Sequence, residues 1–234
     1  MILIEQARFQ RRKFALEIDL HVRPQVFAAV LGGSGSGKST LLSIIAGFEE
    51  LENGKLWLDE ANMQNVPPPK RPVSMVFQDH NVFGHLSVRD NVALGISPSL
   101  KLNNDQHELV HAALARVGLA QYASQKPGSI SGGERQRVAL ARVLVRKRKI
   151  LLLDEPFAAL DPGLRHDMLD LVSDLRREHG LTVLMVTHQP EEALRAADEI
   201  IFVADGKVRE PIASKTFFNM HDDGAIDIYL GKTR

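Results

Sequence analysis

Apolar residues in this chain follow two rhythms. Short runs rich in Val, Ile and Leu, closed by Gly, Pro or Asp, alternate with longer stretches whose apolar positions recur every three or four residues. This alternation predicts an α/β domain with buried, largely parallel strands joined by helices. The strands fall at 2–8, 15–22, 26–31, 54–58, 73–77, 150–153, 182–187 and 199–203. Connections among the first two and 54–58 are turn-rich and too short for crossover helices, which predicts an antiparallel sheet beside the parallel one.

Between about 86 and 147 the strands stop. Val88–Leu94, Asp105–Gly118 and Gly132–Lys147 read as helices, the last with Val138, Ala141, Leu144 and Val145 on one stripe. The expected organisation is a single domain over 1–234. Its α/β core takes about 1–85 and 148–234, and a helical subdomain of about 86–147 is inserted between them. Pro67-Pro68-Pro69 marks a stiff connection before the 73–77 strand. Beyond Val208 the pattern weakens, and no role is readable there.

Composition narrows the function classes. Hydrophobic residues make up 44% and charged residues 25% of 234 residues, the averages of a soluble globular protein able to bury a core unaided. With 29 basic and 29 acidic residues, the chain lacks the basic excess of a dedicated nucleic-acid binder. It has no cysteine, which excludes disulfides, thiolate metal sites and a catalytic thiol. The longest apolar runs, such as Leu181–Val186, fall well short of the ~20 residues that span a bilayer. Met1–Glu5 reads as a strand, not a leader peptide. Any membrane role is expected to come through a partner.

Gly32-Gly33-Ser34-Gly35-Ser36-Gly37-Lys38-Ser39 satisfies G-x-x-x-x-G-K-[ST], between the strand Val26–Leu31 and the helix Thr40–Ala46. Glycines let backbone N–H groups close around phosphate oxygens at the positive end of a helix dipole. Lys38 is expected to reach the β- and γ-phosphates of a nucleotide, and Ser39 to bind Mg²⁺. A second signal is Ile150–Leu153 running into Asp154-Glu155, a buried strand ending in two carboxylates. Ligands of open α/β sheets sit at the carboxyl ends of strands, so both acids should point towards the phosphate loop. Asp154 suits Mg²⁺, and Glu155 suits orienting or deprotonating an attacking water.

Ser131-Gly132-Gly133-Glu134-Arg135-Gln136 and the helix after it resemble the signature motif of ABC transporter ATPases. Other pieces stand in that family's order. Phe77-Gln78 resembles its Q-loop, Ala159-Leu160-Asp161 its D-loop and Thr187-His188 its switch histidine. The resemblance covers nearly the whole chain and weakens after about residue 210. It implies a P-loop NTPase fold with an antiparallel β subdomain and an inserted helical subdomain, hydrolysing ATP with Mg²⁺. It further implies two copies facing head to tail, each phosphate loop closed by the partner's Ser131–Glu134. Glu155, His188 and Gln78 would be catalytic, and Ser39, Gln78 and Asp154 would hold the metal. Nucleotide contacts would come from Gly32–Thr40 and from Ser131, Gly132, Gly133 and Glu134. Gln78 would also link occupancy to a transmembrane permease docked beside it.

The residues agree with these roles in their own terms. Ser131 with two glycines at a helix start is a second anion-binding N-terminus, although it also serves as an ordinary N-cap. His188 follows an apolar strand, so its imidazole is placed to meet a γ-phosphate. His21, His85, His107 and His111 show no metal-ligand spacing. Arg146–Lys149 would suit an anionic membrane surface, but cations ending a helix more simply complement its dipole.

Two departures from the family stand out. Glu134 replaces the usual Gln of the signature. No clear aromatic occupies the place where an N-terminal ring stacks on adenine, leaving Phe9 or Arg11 as candidates. Separate, short ATPase chains without a fused membrane domain resemble importer subunits, and the extra C-terminal regulatory domain of many sugar and polyamine importer ATPases is not expected here. The stretches 71–78, 81–86 and 97–103 are similar to those of thiamine-importer ATPases. The expected partners are therefore a permease, a second copy and, indirectly, a periplasmic solute-binding protein, with the chain peripheral on the cytoplasmic side of the inner membrane. Alternatives are an importer ATPase for ferric iron, sulfate or another small solute, and a soluble ABC ATPase of an assembly system.

Overall fold

A computed structural model describes residues 1–77, 82–220 and 223–232. The N-terminal strands β1 (Ile2–Arg11) and β2 (Phe14–Val22) form an antiparallel hairpin. In β2, Leu16, Ile18, Leu20 and Val22 are buried while Glu17, Asp19 and His21 are exposed, the period-two signature of a strand with one wet face. The next strand, β3 (Phe27–Leu31), is buried at all five positions. It feeds helix α1 (Lys38–Ala46) through the glycine-rich loop. Then follow β4 (Asn53–Leu58), β5 (Ala61–Asn62) and β6 (Val73–Val76), with a 3-10 turn at Pro68–Lys70 where the proline run was expected to stiffen the chain.

The segment between β6 and the next strand holds helices α2 (Val88–Ala93), α3 (Asn104–Arg116) and α4 (Gly132–Arg146). Their apolar faces meet in a core of their own, built on Val88, Val92, Val110, Leu114, Val138 and Ala141. The chain then returns through β7 (Ile150–Asp154), α5 (Pro162–His179), β8 (Thr182–Val186), α6 (Pro190–Ala196) and β9 (Glu199–Ala204).

Among the described residues the strands make one sheet. Its order is β5-β4-β1-β2, then the short β10 (Lys207–Val208), then β9-β3-β8-β7-β6. Pairing is antiparallel from β5 to β2 and parallel from β9 to β6. β10 joins the halves, parallel to β2 and antiparallel to β9. The expected antiparallel sheet is therefore present and continuous with the parallel one.

The weakly patterned C-terminal segment is folded. β11 (Ile212–Ala213) pairs with β9, and α7 (Ser214–Asn219) and α8 (Gly224–Tyr229) follow. Phe217 and Ile226 are fully buried against Leu31, Ile200 and Phe202. Phe202 stands 5.7 Å from the Phe217 ring and 5.5 Å from the Tyr229 ring.

Candidate functional site

The carboxyl ends of three adjacent parallel strands build the site. β3 delivers the glycine loop, β7 ends in Asp154 with Glu155 next, and β8 runs into Thr187 and His188. Phe14, Ser34, Gly35, Lys38, Glu155 and His188 share one open cavity of about 350 Å³ with Gly37, Ser39 and Thr40. Most of the residues predicted from sequence thus converge on one place.

Helix α1 begins at Lys38 with Gly37 as its N-cap, and no side chain caps its first amides. Those amides are open to a ligand or to solvent, as are those of α5 and α6, whereas α3 and α4 each close theirs with a capping box. Gly37 sits at φ +112, and a Cβ there would come within 2.8 Å of Phe14 Cζ, so the loop runs directly under that ring. The Ser36 hydroxyl is buried with no hydrogen-bond partner among the described residues, a polar atom that an anion in the loop would satisfy.

Lys38 Nζ donates to the carbonyls of Gly32 at 3.0 Å and Gly33 at 2.8 Å. Burial lowers its pKa, opposed by the negative charges of Glu155 and Asp154. Ser39 Oγ donates to Asp154 Oδ1 at 2.9 Å. Burial raises the Asp154 pKa, the Ser39 hydrogen bond acts against the rise, and the Glu155 charge adds to it. A cation beside Asp154 would offset this desolvation, and a hydroxyl with a carboxylate is the hard-oxygen donor set that Mg²⁺ takes. The two residues therefore fit that ion.

His188 Nε2 lies 2.7 Å from Glu155 Oε1. Glu155 has φ +45, and its N–H donates to Val186 O at 3.1 Å, which turns the chain sharply after β7. Behind His188, the Thr187 hydroxyl donates to the buried Glu192 at 2.6 Å and accepts from the Gln189 N–H at 3.0 Å. Arg165 ties this loop to the 159–161 segment. It donates to Leu160 O at 2.9 Å and to Gln189 Oε1, and its Nε lies 3.3 Å from Glu192.

Ser131–Glu134 do not line the cavity of Lys38. Ser131 is exposed and caps α4 reciprocally: Glu134 N–H donates to its Oγ at 3.2 Å, and its own N–H donates to Glu134 Oε2 at 2.7 Å. These bonds to Ser131 hold the Glu134 pKa below the usual carboxylate value. Gly133 is buried under α5, where a Cβ would come within 2.3 Å of Leu164 Cδ2.

Gln78 lies outside the described residues. Neighbouring Phe77 stands 5.9 Å from the ring of Phe48, which is 57% exposed. Phe83 is 45% exposed, with the Arg142 guanidinium 5.7 Å from its ring centre. A cavity of about 560 Å³ runs along Met75, Phe77, Phe83 and Arg142.

Neither adenine candidate lines the cavity. Phe9 is only 3% exposed, paired with Leu16 inside the hairpin, and has no face to offer. Arg11 is exposed and bonded to Glu49 at 2.8 Å, and it does not line the cavity. Phe14 is the ring that does, packed 6.3 Å from Phe9. Phe9 and Arg11 stand before the turn at Arg12-Lys13, and that turn brings the start of β2 over the glycine loop.

Residues 16–158 match the family model for ABC transporters. This chain belongs to the ABC transporter family. Two of its similar relatives are both named thiamine import ATP-binding protein ThiQ. That of Brucella suis biovar 1 (strain 1330) is 48% identical over 233 residues, covering 100% of this chain and 97% of the relative. That of Ruegeria sp. (strain TM1040) is 45% identical, covering 99% of this chain and 100% of the relative. Among solved structures, cbiO1 from Clostridium perfringens, part of the ABC transporter complex cbiONQ, superposes with a TM-score of 0.84 at 28% identity, covering 93% of this chain and 90% of that one. The ABC ATPase fold expected from the motifs is thus present, and ATP is the nucleotide of this family.

Proposed function

We propose that this ABC ATPase energises thiamine import through a separate permease. The motor half rests on Glu155 and His188 meeting beside the glycine loop at the ends of adjacent strands. The solute half rests on near-half identity, spread over 233 residues, to proteins named for thiamine import.

ATP phosphates would enter between the uncapped amides of α1 and the strand-end carboxylates. Lys38 would exchange the Gly32 and Gly33 carbonyls for β- and γ-phosphate oxygens. Ser39 and Asp154 would hold Mg²⁺, which would supply positive charge to offset that of the phosphates. Glu155 would orient the attacking water and take its proton as the water oxygen bonds to the γ-phosphorus and ADP leaves. His188, held from behind by Thr187, would steady Glu155 and the departing phosphoryl group. Phe14 would stack on adenine.

Because Ser131–Glu134 do not line their own chain's phosphate cavity, they are read as closing the cavity of a second copy arranged head to tail. The exposed rings of Phe48 and Phe83 beside Phe77 suit an apolar helix of a membrane-embedded permease. No described helix is long and apolar enough to cross a membrane. As the partner of an import permease, the chain would sit peripherally on the cytoplasmic side of the inner membrane, served indirectly by a periplasmic solute-binding protein.

The deciding experiment is labelled-thiamine uptake in cells lacking this gene, complemented with wild type or Glu155→Gln. Rescue by wild type alone supports both halves. No rescue by wild type, while the purified protein still hydrolyses ATP, removes thiamine and leaves ferric iron, sulfate or another small solute to be tried.

A further inference from the structure

A second cavity of about 560 Å³ lies far from the phosphate loop in sequence, in the seam between the helical layer and the sheet core. Leu109 and Ala113 of α3, Val143 of α4 and Leu181 just before β8 give it apolar walls, and Lys147 and Lys149 stand on its lining. Its size falls within the ~300–1,000 Å³ of small-molecule sites.

Its surplus charge is positive. Neither Lys147 nor Lys149 is in an ion pair among the described residues. Both oxygens of Glu178, the one acid on the lining, are taken by Arg116 at 3.0 and 2.6 Å. Cations after a helix complement its dipole, but that accounts for the charge and not for an apolar hollow beside it.

We infer that this seam pocket binds a small amphipathic anion, an apolar body carrying one carboxylate, sulfonate or phosphate. The apolar part would lie against Leu109, Val143 and Leu181, and the acid would face Lys147 and Lys149. The position gives such a ligand leverage. α4 runs about 22 Å from Ser131 at its start to this pocket at its end. The Arg116–Glu178 pair ties α3 to α5 across the same seam. A ligand wedged there holds the helical layer against the core and so restrains the end of α4 that carries Ser131.

The test titrates the full chain with 8-anilinonaphthalene-1-sulfonate, followed by fluorescence, with and without Mg-ATP. One saturable site per chain is expected, not displaced by ATP, and ATP turnover should slow as it fills. Affinity should fall about tenfold or more for the neutral N-phenyl-1-naphthylamine and for Lys147→Glu/Lys149→Glu, because both lose the attraction between the acid and the two ammonium groups. Ala112→Trp, an exposed position on the pocket wall, should block the site without touching the charges. Unchanged ATP binding in both variants serves as the folding control. Equal probe binding in the variants, displacement by ATP, or unaltered turnover at saturation would each overturn the inference. So would sedimentation with phosphatidylglycerol vesicles that the double lysine variant abolishes while its probe binding persists, since the lysines would then serve a membrane surface.

Discussion

Glu155 Oε1 and His188 Nε2 stand 2.7 Å apart because β7 and β8 are parallel neighbours ending at the same level, Asp154 opposite Val186. One further residue beyond Asp154 and two beyond Val186 bring the two side chains face to face. If Glu155 takes the proton of the attacking water, Glu155→Gln keeps the shape and the contact with His188 but loses the base. Its ATP turnover should fall by about 10²–10⁴-fold while ATP affinity changes little. Single-turnover hydrolysis alongside equilibrium nucleotide binding separates the two effects, and near-normal turnover would remove Glu155 from the role.

The loop carrying His188 is held by Glu192, which accepts from Thr187 at 2.6 Å and faces Arg165. Glu192 is 5% exposed, and burial raises its pKa, with the Thr187 bond and Arg165 acting against the rise. Glu192→Ala would take the acceptor from the Thr187 hydroxyl and the facing negative charge from Arg165, which keeps its bonds to Leu160 O and Gln189 Oε1. A stability loss of about 3 kcal/mol is expected in urea unfolding. Turnover should drop roughly tenfold, as expected of a misplaced catalytic group, with ATP affinity unchanged. A loss of ATP affinity equal to the loss of turnover would show that the loop serves binding instead.

The parts legible in the sequence were those where local chemistry and long-range structure ask for the same residues. β3 must be apolar to be buried on both faces and must end in glycines to admit phosphate, so Phe27–Leu31 and Gly32–Gly37 read clearly. The capping partners Ser131 and Glu134 stand three residues apart and likewise read directly. The tail was opaque because β11 has two residues and α7 and α8 six each, too short for a period to show. Arg165 could not be found by any local signal. Its partners Leu160, Gln189 and Glu192 converge only once α5 and α6 pack together.

Phe14 and Phe9 offer a paired test of the nucleotide's base contact. Phe14→Ala should weaken ATP binding roughly tenfold, in keeping with ~1–3 kcal/mol for stacking one base on an aromatic ring, and Phe14→Tyr should restore it. Phe9→Ala removes a core ring and should cost about 3–5 kcal/mol of stability, with nucleotide affinity preserved in the folded fraction. Calorimetric ATP titrations with thermal melts read both. Loss of affinity in Phe9→Ala alone would return the base contact to Phe9.

The tail offers the last prediction, because two different forces dock it. Phe217 contributes a fully buried ring against Phe202, so Phe217→Ala should destabilise the whole domain by about 3–5 kcal/mol, seen as a lower urea midpoint. Asp223 contributes charge: it accepts from Arg209 at 2.5 Å and caps α8 through the N–H groups of Ala225 and Ile226. The Arg209 bond, with help from those amides, holds the Asp223 pKa below its usual value. A carboxylate depressed on folding adds stability that is present above its unfolded pKa and lost as pH falls through the folded one. Asp223→Asn should therefore cost a little at neutral pH, about 1 kcal/mol or less at this partly solvated site, and nothing in strong acid. Phe217→Ala should cost the same at both. Urea midpoints of the two variants against wild type, followed from pH 7 down into acid below the usual carboxylate range, distinguish the forces. A pH-independent deficit in Asp223→Asn would assign that residue's role to its cap hydrogen bonds, which an amide oxygen makes less well at any pH, and not to its charge.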